Sequence, residues 1–273
     1  MSALPGISST PEVRRSSRVP VSGTVAVVDR IALGVDIGGS GIKGAPVDLA
    51  LGSLTEERVR IDTPQPSTPD AVADVVSEIV NSFSYEGPVG CAMPSVVQHG
   101  VVATAANIDD GWIGLDGREL LERRLKVPVA LLNDADAAGM AEVTYGAAKG
   151  VSGLVCLLTF GTGIGSALFV DGVLVPNSEL GHLEFKGMDA EDYASARTRK
   201  DENLSWEEWG GRVAEFLRHL ERTMTPDLFI IGGGVSRKLD EFREFIEVST
   251  PIVPARLRNS AGIVGAALAA SSI

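Results

Sequence analysis

The sequence predicts an α/β fold of two similar lobes with a cleft between them. The chain alternates short apolar runs, typical of buried strands, with segments whose apolar residues recur at helical spacing. A strand, a glycine-rich turn and a second strand occur at Asp36 and again at Gly161, which indicates a repeated unit. With 273 residues, 44% of them hydrophobic, the chain is long enough to fill a core in each lobe.

The first half of the chain reads mainly as strands. Apolar runs bounded by glycine, proline or polar residues predict strands over 31–36, 44–49, 57–61, 88–93 and 129–132, the opening ones antiparallel. A helix is predicted to begin at Pro69, because Val72, Val76 and Ile79 follow at helical spacing. Further helices are predicted over 120–125 and 135–145.

The second half repeats this alternation and ends in a helix. Strands are predicted over 154–159, 167–170 and 228–231, and helices over 213–220, 239–246 and 261–270. Asn259 and Ser260 are the predicted caps of the last helix, whose small residues require a closely packed neighbour. Trp206 and Trp209 are predicted to be packing residues.

Composition limits the partners and the location of the protein. Lys and Arg number 24 against 36 Asp and Glu, and the formal net charge of −12 argues against a nucleic-acid or acidic-membrane surface. The two cysteines lie far apart in apolar runs, so neither a disulfide framework nor a cysteine zinc site is predicted. We therefore expect a cytoplasmic protein without nucleic-acid or membrane partners. Residues 1–30, which begin rich in Ser, Pro and Arg, predict a disordered tail.

The glycine-rich turn after the first strand has the residue types that bind phosphate. Glycine lets the backbone approach an anion closely and point its N–H groups at phosphoryl oxygens. Asp36 could hold a hydrated Mg²⁺ beside them, and Lys43 could supply a point charge. The candidate phosphate-binding residues are Asp36, Gly38, Gly39, Ser40, Gly41 and Lys43. Taken alone, an ordinary hairpin turn explains the same pattern.

Two further glycine runs strengthen the phosphate interpretation. Each follows a predicted buried strand, and their candidate residues are Thr159, Gly161, Thr162, Gly163, Gly232, Gly233 and Gly234. The third run could let an adenine or a polymeric phosphate tail pass close to the backbone. One such run is usually a tight turn, but three at strand ends of one α/β chain favour phosphate binding.

Asp134 is the candidate catalytic residue. It follows Asn133 at the carboxyl end of a predicted strand, where ligands collect in α/β proteins. Phosphoryl transfer to an alcohol needs a base that accepts the hydroxyl proton, and a carboxylate here could be that base. The alternative is that Asp134 caps the alanine-rich helix that follows.

A short polar stretch supplies candidate ligands for a sugar. Glu179, His182 and Glu184 could bind adjacent hydroxyl groups, and Asn107 could be either a turn residue or an amide that reads a hydroxyl. A solvated turn is the alternative for the first three. A zinc site is not expected, because no cysteines lie nearby. Arg197, Arg199 and Lys200 form a basic group that is either a solvated surface or a steering element for a phosphate donor.

In this order, the motifs resemble those of the ROK family of sugar kinases, which has the actin-like ATPase (ribonuclease H-like) fold. The resemblance extends over almost everything from residue 31 onward, and 194–209 is similar to the polyphosphate-using glucokinase branch. The matching segments are 36–43, 131–134, 158–166, the E-x-G-H of 179–182, and 230–236. The zinc motif that many members carry after E-x-G-H is absent, so no structural zinc is expected.

The resemblance implies a reaction and a set of roles. The terminal phosphoryl group of inorganic polyphosphate or ATP would pass to the 6-hydroxyl of glucose, with mannose as a second candidate sugar. Asp134 would be the general base, and Asp36 would place Mg²⁺ through water. The implied sugar ligands are Asn107, Asn133, Asp134, Glu179 and His182, with Glu184 as a further candidate. A homodimer is also expected.

The lobes and two rival functions complete the predictions. The small lobe is predicted to comprise 31–131, with the helix in 260–273 packing back on it, and the large lobe 132–259.

One rival function is that of an ATP-only kinase for another hexose or an N-acetylhexosamine. The other is a non-catalytic sugar-responsive regulator, which would need an N-terminal helix-turn-helix that the tail is not predicted to form.

Overall fold

The computed structural model describes residues 31–273, and two β-sheets form its centre. The predicted tail, 1–30, lies outside the described residues. The strands are β1 (Ile31–Ile37), β2 (Ile42–Asp48), β3 (Ser53–Leu54), β4 (Val59–Ile61), β5 (Val89–Met93), β6 (Val97–Gln98), β7 (Val101–Val102), β8 (Val129–Asn133), β9 (Leu154–Phe160), β10 (Ile164–Val170), β11 (Val173–Val175), β12 (Glu184–Phe185), β13 (Met188–Asp189), β14 (Leu228–Gly232) and β15 (Ile252–Pro254). The helices are α1 (Pro69–Ser82), α2 (Gly117–Leu125), α3 (Asp134–Thr144), α4 (Ala190–Ala194), α5 (Ala196–Asp201), α6 (Trp206–Met224) and α7 (Ala261–Ala270).

The two sheets share one topology. In the first, β1 pairs antiparallel with β2 and parallel with β5, and β5 pairs parallel with β8. In the second, β9 pairs antiparallel with β10 and parallel with β14, and β14 pairs parallel with β15. Each sheet packs helices against an apolar core of its own. This arrangement confirms the prediction of two similar lobes in an α/β fold.

Two helices cross between the sheets, and both depend on small residues. The chain leaves β8 of the first sheet as α3, which packs on β10 of the second, where a Cβ on Gly139 would lie 2.5 Å from the Phe169 ring. It leaves the second sheet through α7, which returns to the first. A Cβ on Gly90 would lie 1.7 Å from the Ala266 carbonyl oxygen, and one on Gly265 would lie 1.7 Å from that of Ala137. The small-residue composition of α7 is therefore explained by close contact on two sides. The predicted lobe boundary at 131/132 stays a prediction, and β8 continues to Asn133 within the first sheet.

Three local predictions differ from the structure. The helix predicted over 239–246 is replaced by 3₁₀ turns over Gly234–Glu241 and Arg243–Phe245. Their buried residues recur at spacings that suit both an α-helix and a 3₁₀-helix, so the sequence pattern did not distinguish the two. The helix predicted over 213–220 begins earlier, at Trp206, because Ser205 and Glu208 form a capping box that the prediction missed. Ser260 makes no capping hydrogen bond, since a 3₁₀ turn leads directly into α7.

The tryptophans pack as predicted. The indole of Trp209 is fully buried, and its Nε1 donates to the Ala194 carbonyl oxygen at 3.0 Å. Trp206 packs partly buried against the same core and stacks on Phe242. Across 31–273, no helix combines the length and the apolar composition that crossing a bilayer requires.

Candidate active site

Two cavities lie between the sheets and meet at Asp134. The larger has a volume of about 550 Å³ and the smaller about 240 Å³. Asp134, Thr159 and Gly233 line both. These residues come from the end of β8, β9 and the turn after β14, so the junction lies at the carboxyl ends of strands from both sheets.

Asn133, rather than Asp134, caps α3. Its Oδ1 accepts hydrogen bonds from the backbone N–H groups of Ala135 and Asp136 at 2.8 and 3.1 Å, and its Nδ2 donates to the Ser95 carbonyl oxygen at 3.2 Å. The alternative that Asp134 is the cap is therefore wrong. Asp134 is the first residue of the helix, and its side chain lines the junction of the two cavities.

The surroundings of the Asp134 carboxyl group disfavour its ionised form. Burial raises its pKa from an ordinary aspartate value to about 7, and the negative charges of Asp36 and Glu179 act in the same direction. The backbone N–H of Ala135 opposes them. A carboxylate with such a pKa is suited to accept a proton from a substrate hydroxyl near neutral pH.

The larger cavity collects the residues predicted to bind a sugar. Asn107, Asn133, Glu179 and His182 all line it, although they come from distant parts of the chain. Asn107 adopts a left-handed conformation, φ 61°, and lies against the first glycine turn, where a Cβ on Gly39 would be 3.0 Å from its carbonyl oxygen. The cavity therefore presents amide, carboxylate and imidazole groups together, a mixture suited to a polyhydroxylated ligand.

His182 and Glu179 lie close together, and each affects the pKa of the other. The His182 Nδ1 lies 3.0 Å from Asp189 Oδ2, and its Nε2 lies 4.0 Å from Glu179 Oε2. The hydrogen bond to Asp189 raises the pKa of His182, with the neighbouring carboxylates adding to the effect against partial burial. Burial raises the pKa of Glu179, and His182 opposes that shift. Because Asp189 occupies Nδ1, Nε2 is the ring nitrogen left for a ligand.

The smaller cavity collects the two charged residues of the first phosphate motif and the three glycines of the third. Asp36 and Lys43 line it, with Lys43 Nζ 3.4 Å from Asp36 Oδ2, and the glycines of 232–234 form another wall. The start of α7 closes it, since a Cβ on Gly262 would lie 3.0 Å from the Asp36 carboxyl carbon. The cavity thus combines a carboxylate, a cation and exposed backbone, the groups that a hydrated cation and phosphates use.

The glycine turns that follow β1 and β9 line the larger cavity from opposite sheets. Gly38 and Gly39 lie on one side, and the glycines and threonine of 161–163 lie on the other. Ser40, Gly41 and Glu184 line neither cavity. Glu184 is exposed on β12, paired with Asp189, so its position gives no support to the predicted contact with a sugar.

Several cavity residues were missed or left open by the sequence prediction. Glu191 Oε2 accepts from the Ile164 N–H at 3.1 Å, beside the second glycine turn, and no local motif marks it. Arg197 lines the larger cavity, whereas Arg199 of the same basic group stacks on Trp206 at 3.5 Å from the ring centroid. Asn259, predicted as a helix cap, lines the smaller cavity. A polar residue just before a helix is ambiguous between capping and binding, so its sequence position alone did not decide.

Comparison with known proteins gives a consistent set of similarities. Residues 32–193 match the family model described as the ROK family. The polyphosphate glucokinase of Mycobacterium tuberculosis (strain ATCC 25618 / H37Rv) is 51% identical over 245 residues, which cover 89% of this chain and 92% of that protein.

Solved structures show the same similarity in three dimensions. The inorganic polyphosphate/ATP-glucomannokinase from Arthrobacter sp. strain KM superposes with a TM-score of 0.83 and 51% identity, covering 88% of this chain and 98% of that one. A ROK family glucokinase from Streptomyces griseus, in complex with glucose and AMPPNP, gives a TM-score of 0.77 at 25% identity, covering 89% and 100%.

Proposed function

The chain belongs to the ROK family, and we propose that it is a kinase that transfers the terminal phosphoryl group of inorganic polyphosphate or ATP to the 6-hydroxyl of glucose. Its actin-like ATPase fold supports this function, and so does its 51% sequence identity to the polyphosphate glucokinase of Mycobacterium tuberculosis. The observation that carries the proposal is the position of Asp134, a carboxyl group with a pKa of about 7 at the junction of two polar cavities.

Each cavity has one substrate. Glucose occupies the larger cavity, in contact with Asn107, Asn133, Glu179 and His182, and the donor phosphates occupy the smaller one. Asn133 has one Nδ2 hydrogen left after capping α3 and bonding Ser95, so it can donate to a sugar hydroxyl. The Glu179 carboxylate accepts from a second hydroxyl.

Asp134 removes the proton during transfer. As the 6-oxygen of glucose attacks the terminal phosphorus, the ionised carboxylate accepts the hydroxyl proton, and the bond from phosphorus to the bridging donor oxygen breaks. The shortened polyphosphate, or ADP, leaves with the electron pair of that bond. Lys43 stabilises negative charge on the donor, and the exposed N–H groups of the glycine turns do the same.

A magnesium ion fits beside Asp36. Mg²⁺ is commonly held by one or two carboxylates together with substrate phosphates and water, and the partly buried Asp36 carboxylate lines the cavity assigned to those phosphates. When bound, the ion neutralises charge on the phosphoryl oxygens. Asp36 is the residue that would hold it through water.

Mannose is a second proposed acceptor. The similarity to the glucomannokinase from Arthrobacter sp. strain KM supports it, and mannose presents the same 6-hydroxyl to Asp134. The expected homodimer stays a prediction.

A matrix of donors and acceptors tests the proposed function. Glucose, mannose and N-acetylmannosamine are each incubated with ATP or long-chain polyphosphate, and sugar phosphate is measured. We expect phosphorylation of glucose with both donors. Activity with ATP alone would favour the ATP-only kinase, and no sugar phosphate from any pair would favour the regulator.

A further inference from the structure

We propose that Arg58, Arg60 and Arg258 form a track that binds a polyphosphate chain from the opening of the smaller cavity outward. This inference rests on the proposed function and assigns the residues that hold the polymeric donor outside the site of transfer. These three arginines are called the arginine track below.

The strand register leads from the smaller cavity to the arginine track. Asp36 on β1 lies opposite Lys43 on β2, and Lys43 lies opposite Arg60 on β4. Directly opposed residues of antiparallel strands project from the same face of a sheet, about 5 Å apart. The row therefore runs from Asp36 and Lys43 in the cavity to Arg60, whose backbone lies roughly 10 Å from that of Asp36, near the edge of the sheet.

Arg60 also packs on the first glycine turn. Its Nη2 donates to the Ser40 carbonyl oxygen at 3.1 Å, and a Cβ on Gly41 would lie 2.7 Å from the guanidinium. The guanidinium thus borders the outer side of the turn whose Gly38 and Gly39 line the larger cavity. A chain leaving the cavity past Lys43 meets this group next.

Arg58 and Arg258 lie at the opening of the smaller cavity. The Arg58 Nη1 is 3.5 Å from the carbonyl oxygen of Asn259, and both Asn259 and Arg258 line the smaller cavity. The arginine track is therefore contributed by two separate segments, one before and within β4 and one before α7. These segments flank the cavity rather than forming one stretch of surface.

The charges of the arginine track are mostly available to a ligand. Within 31–273, neither Arg58 nor Arg258 has a carboxylate at ion-pair distance. Arg60 pairs with Asp62 at 2.6 Å, but that carboxylate side chain is 83% exposed and weakly held. In a chain with a net charge of −12, two arginines without a carboxylate partner among the described residues and a third with only an exposed partner, all near a phosphate cavity, indicate an anion-binding surface.

The size of the smaller cavity explains why a polymer needs such a surface. A volume of about 240 Å³ accommodates only the end of a long polyphosphate, so the following phosphates must cross the protein surface. Each of them is anionic, and guanidinium groups bind phosphate oxygens through paired hydrogen bonds. Tripolyphosphate has only three phosphates and is expected to extend little beyond the cavity, so it serves as the short comparison.

The test uses the R58Q/R60Q double variant of the full chain. The KM for long-chain polyphosphate should rise about tenfold in the double variant, while the KM for tripolyphosphate changes less than about twofold. The decrease in apparent affinity with added salt should also become less steep, because fewer phosphate contacts remain. The R118Q/R123Q variant is the control, since it removes the same charge from exposed positions around α2.

Three outcomes would overturn the arginine track. One is an unchanged KM for long chains in the R58Q/R60Q variant. Another is an equal rise for long and short donors, which would mean that Arg60 acts by shaping the glycine turn. The third is an equal effect in the control variant. R60K, which keeps the charge, should retain most of the long-chain affinity, and thermal melting checks that each variant is folded. If the unsubstituted chain made no glucose phosphate with polyphosphate, the proposed donor would fail together with the track, a result distinct from these three.

Discussion

Asp134→Asn is expected to lower turnover by at least about a hundredfold while glucose binding is retained. The amide has nearly the same shape as the carboxyl group and still forms hydrogen bonds at the cavity junction, but it cannot accept the proton of the 6-hydroxyl. Turnover is measured in a coupled assay for glucose 6-phosphate, and glucose affinity by calorimetric titration.

Asp136→Asn is the matched control. The same change is made two residues along α3, at a buried carboxyl group whose Oδ2 accepts from the Asn177 N–H at 2.8 Å. An amide oxygen can accept that bond equally well, so most of the turnover should remain. Near-normal turnover in D134N, or an equal loss in both variants, would contradict the assignment of Asp134 as the base.

The pH dependence of glucose phosphorylation should report the ionisation of Asp134. Its pKa is raised to about 7, and only the ionised form accepts a proton, so kcat/KM should level off above that pH and fall below it. Well below the pKa the fall approaches tenfold per pH unit, which gives about a hundredfold between pH 8 and pH 5. Initial rates across that range, at low glucose and saturating donor, provide the measurement.

Two variants distinguish the ionisation of Asp134 from that of other groups that titrate in this pH range, including the donor phosphates. The residual activity of D134N should lack the acidic fall. In E179Q one of the negative charges that raise the pKa of Asp134 is gone, so the inflection should move to lower pH. A profile that is flat between pH 5 and pH 8, or one that D134N leaves unchanged, would exclude this carboxyl group as the base.

Much of the fold was predictable because its signals are local. Buried strands in sequence order, the glycine turns at Asp36 and Gly161, and the small residues of α7 all gave usable patterns. The 3₁₀ turns after β14 were not predicted, because their apolar spacing suits more than one helical geometry. The capping box at Ser205 was readable in principle, since Glu208 follows at the required spacing.

The residues of the candidate site were predictable where they belong to a local sequence motif. They were not predictable where folding alone brings them next to the cavity. Asp134 and the E-x-G-H residues could be singled out from their neighbours in sequence, and the structure brings Asp134, Glu179 and His182 to one cavity. Glu191 could not, because its place beside the second glycine turn arises from the packing of α4 rather than from a local pattern. Glu184 shows the converse, since a plausible motif position ends on an exposed strand.

The most direct test of the central claim identifies the reaction product. Glucose and long-chain polyphosphate are incubated with the protein and Mg²⁺, and the phosphate ester is located by proton-coupled ³¹P NMR. We predict one ester, on the 6-carbon, coupled to the two protons of the terminal CH₂ group, and its near absence with D134N. An ester at another carbon, or release of inorganic phosphate without a sugar ester, would contradict transfer to a 6-hydroxyl held beside Asp134.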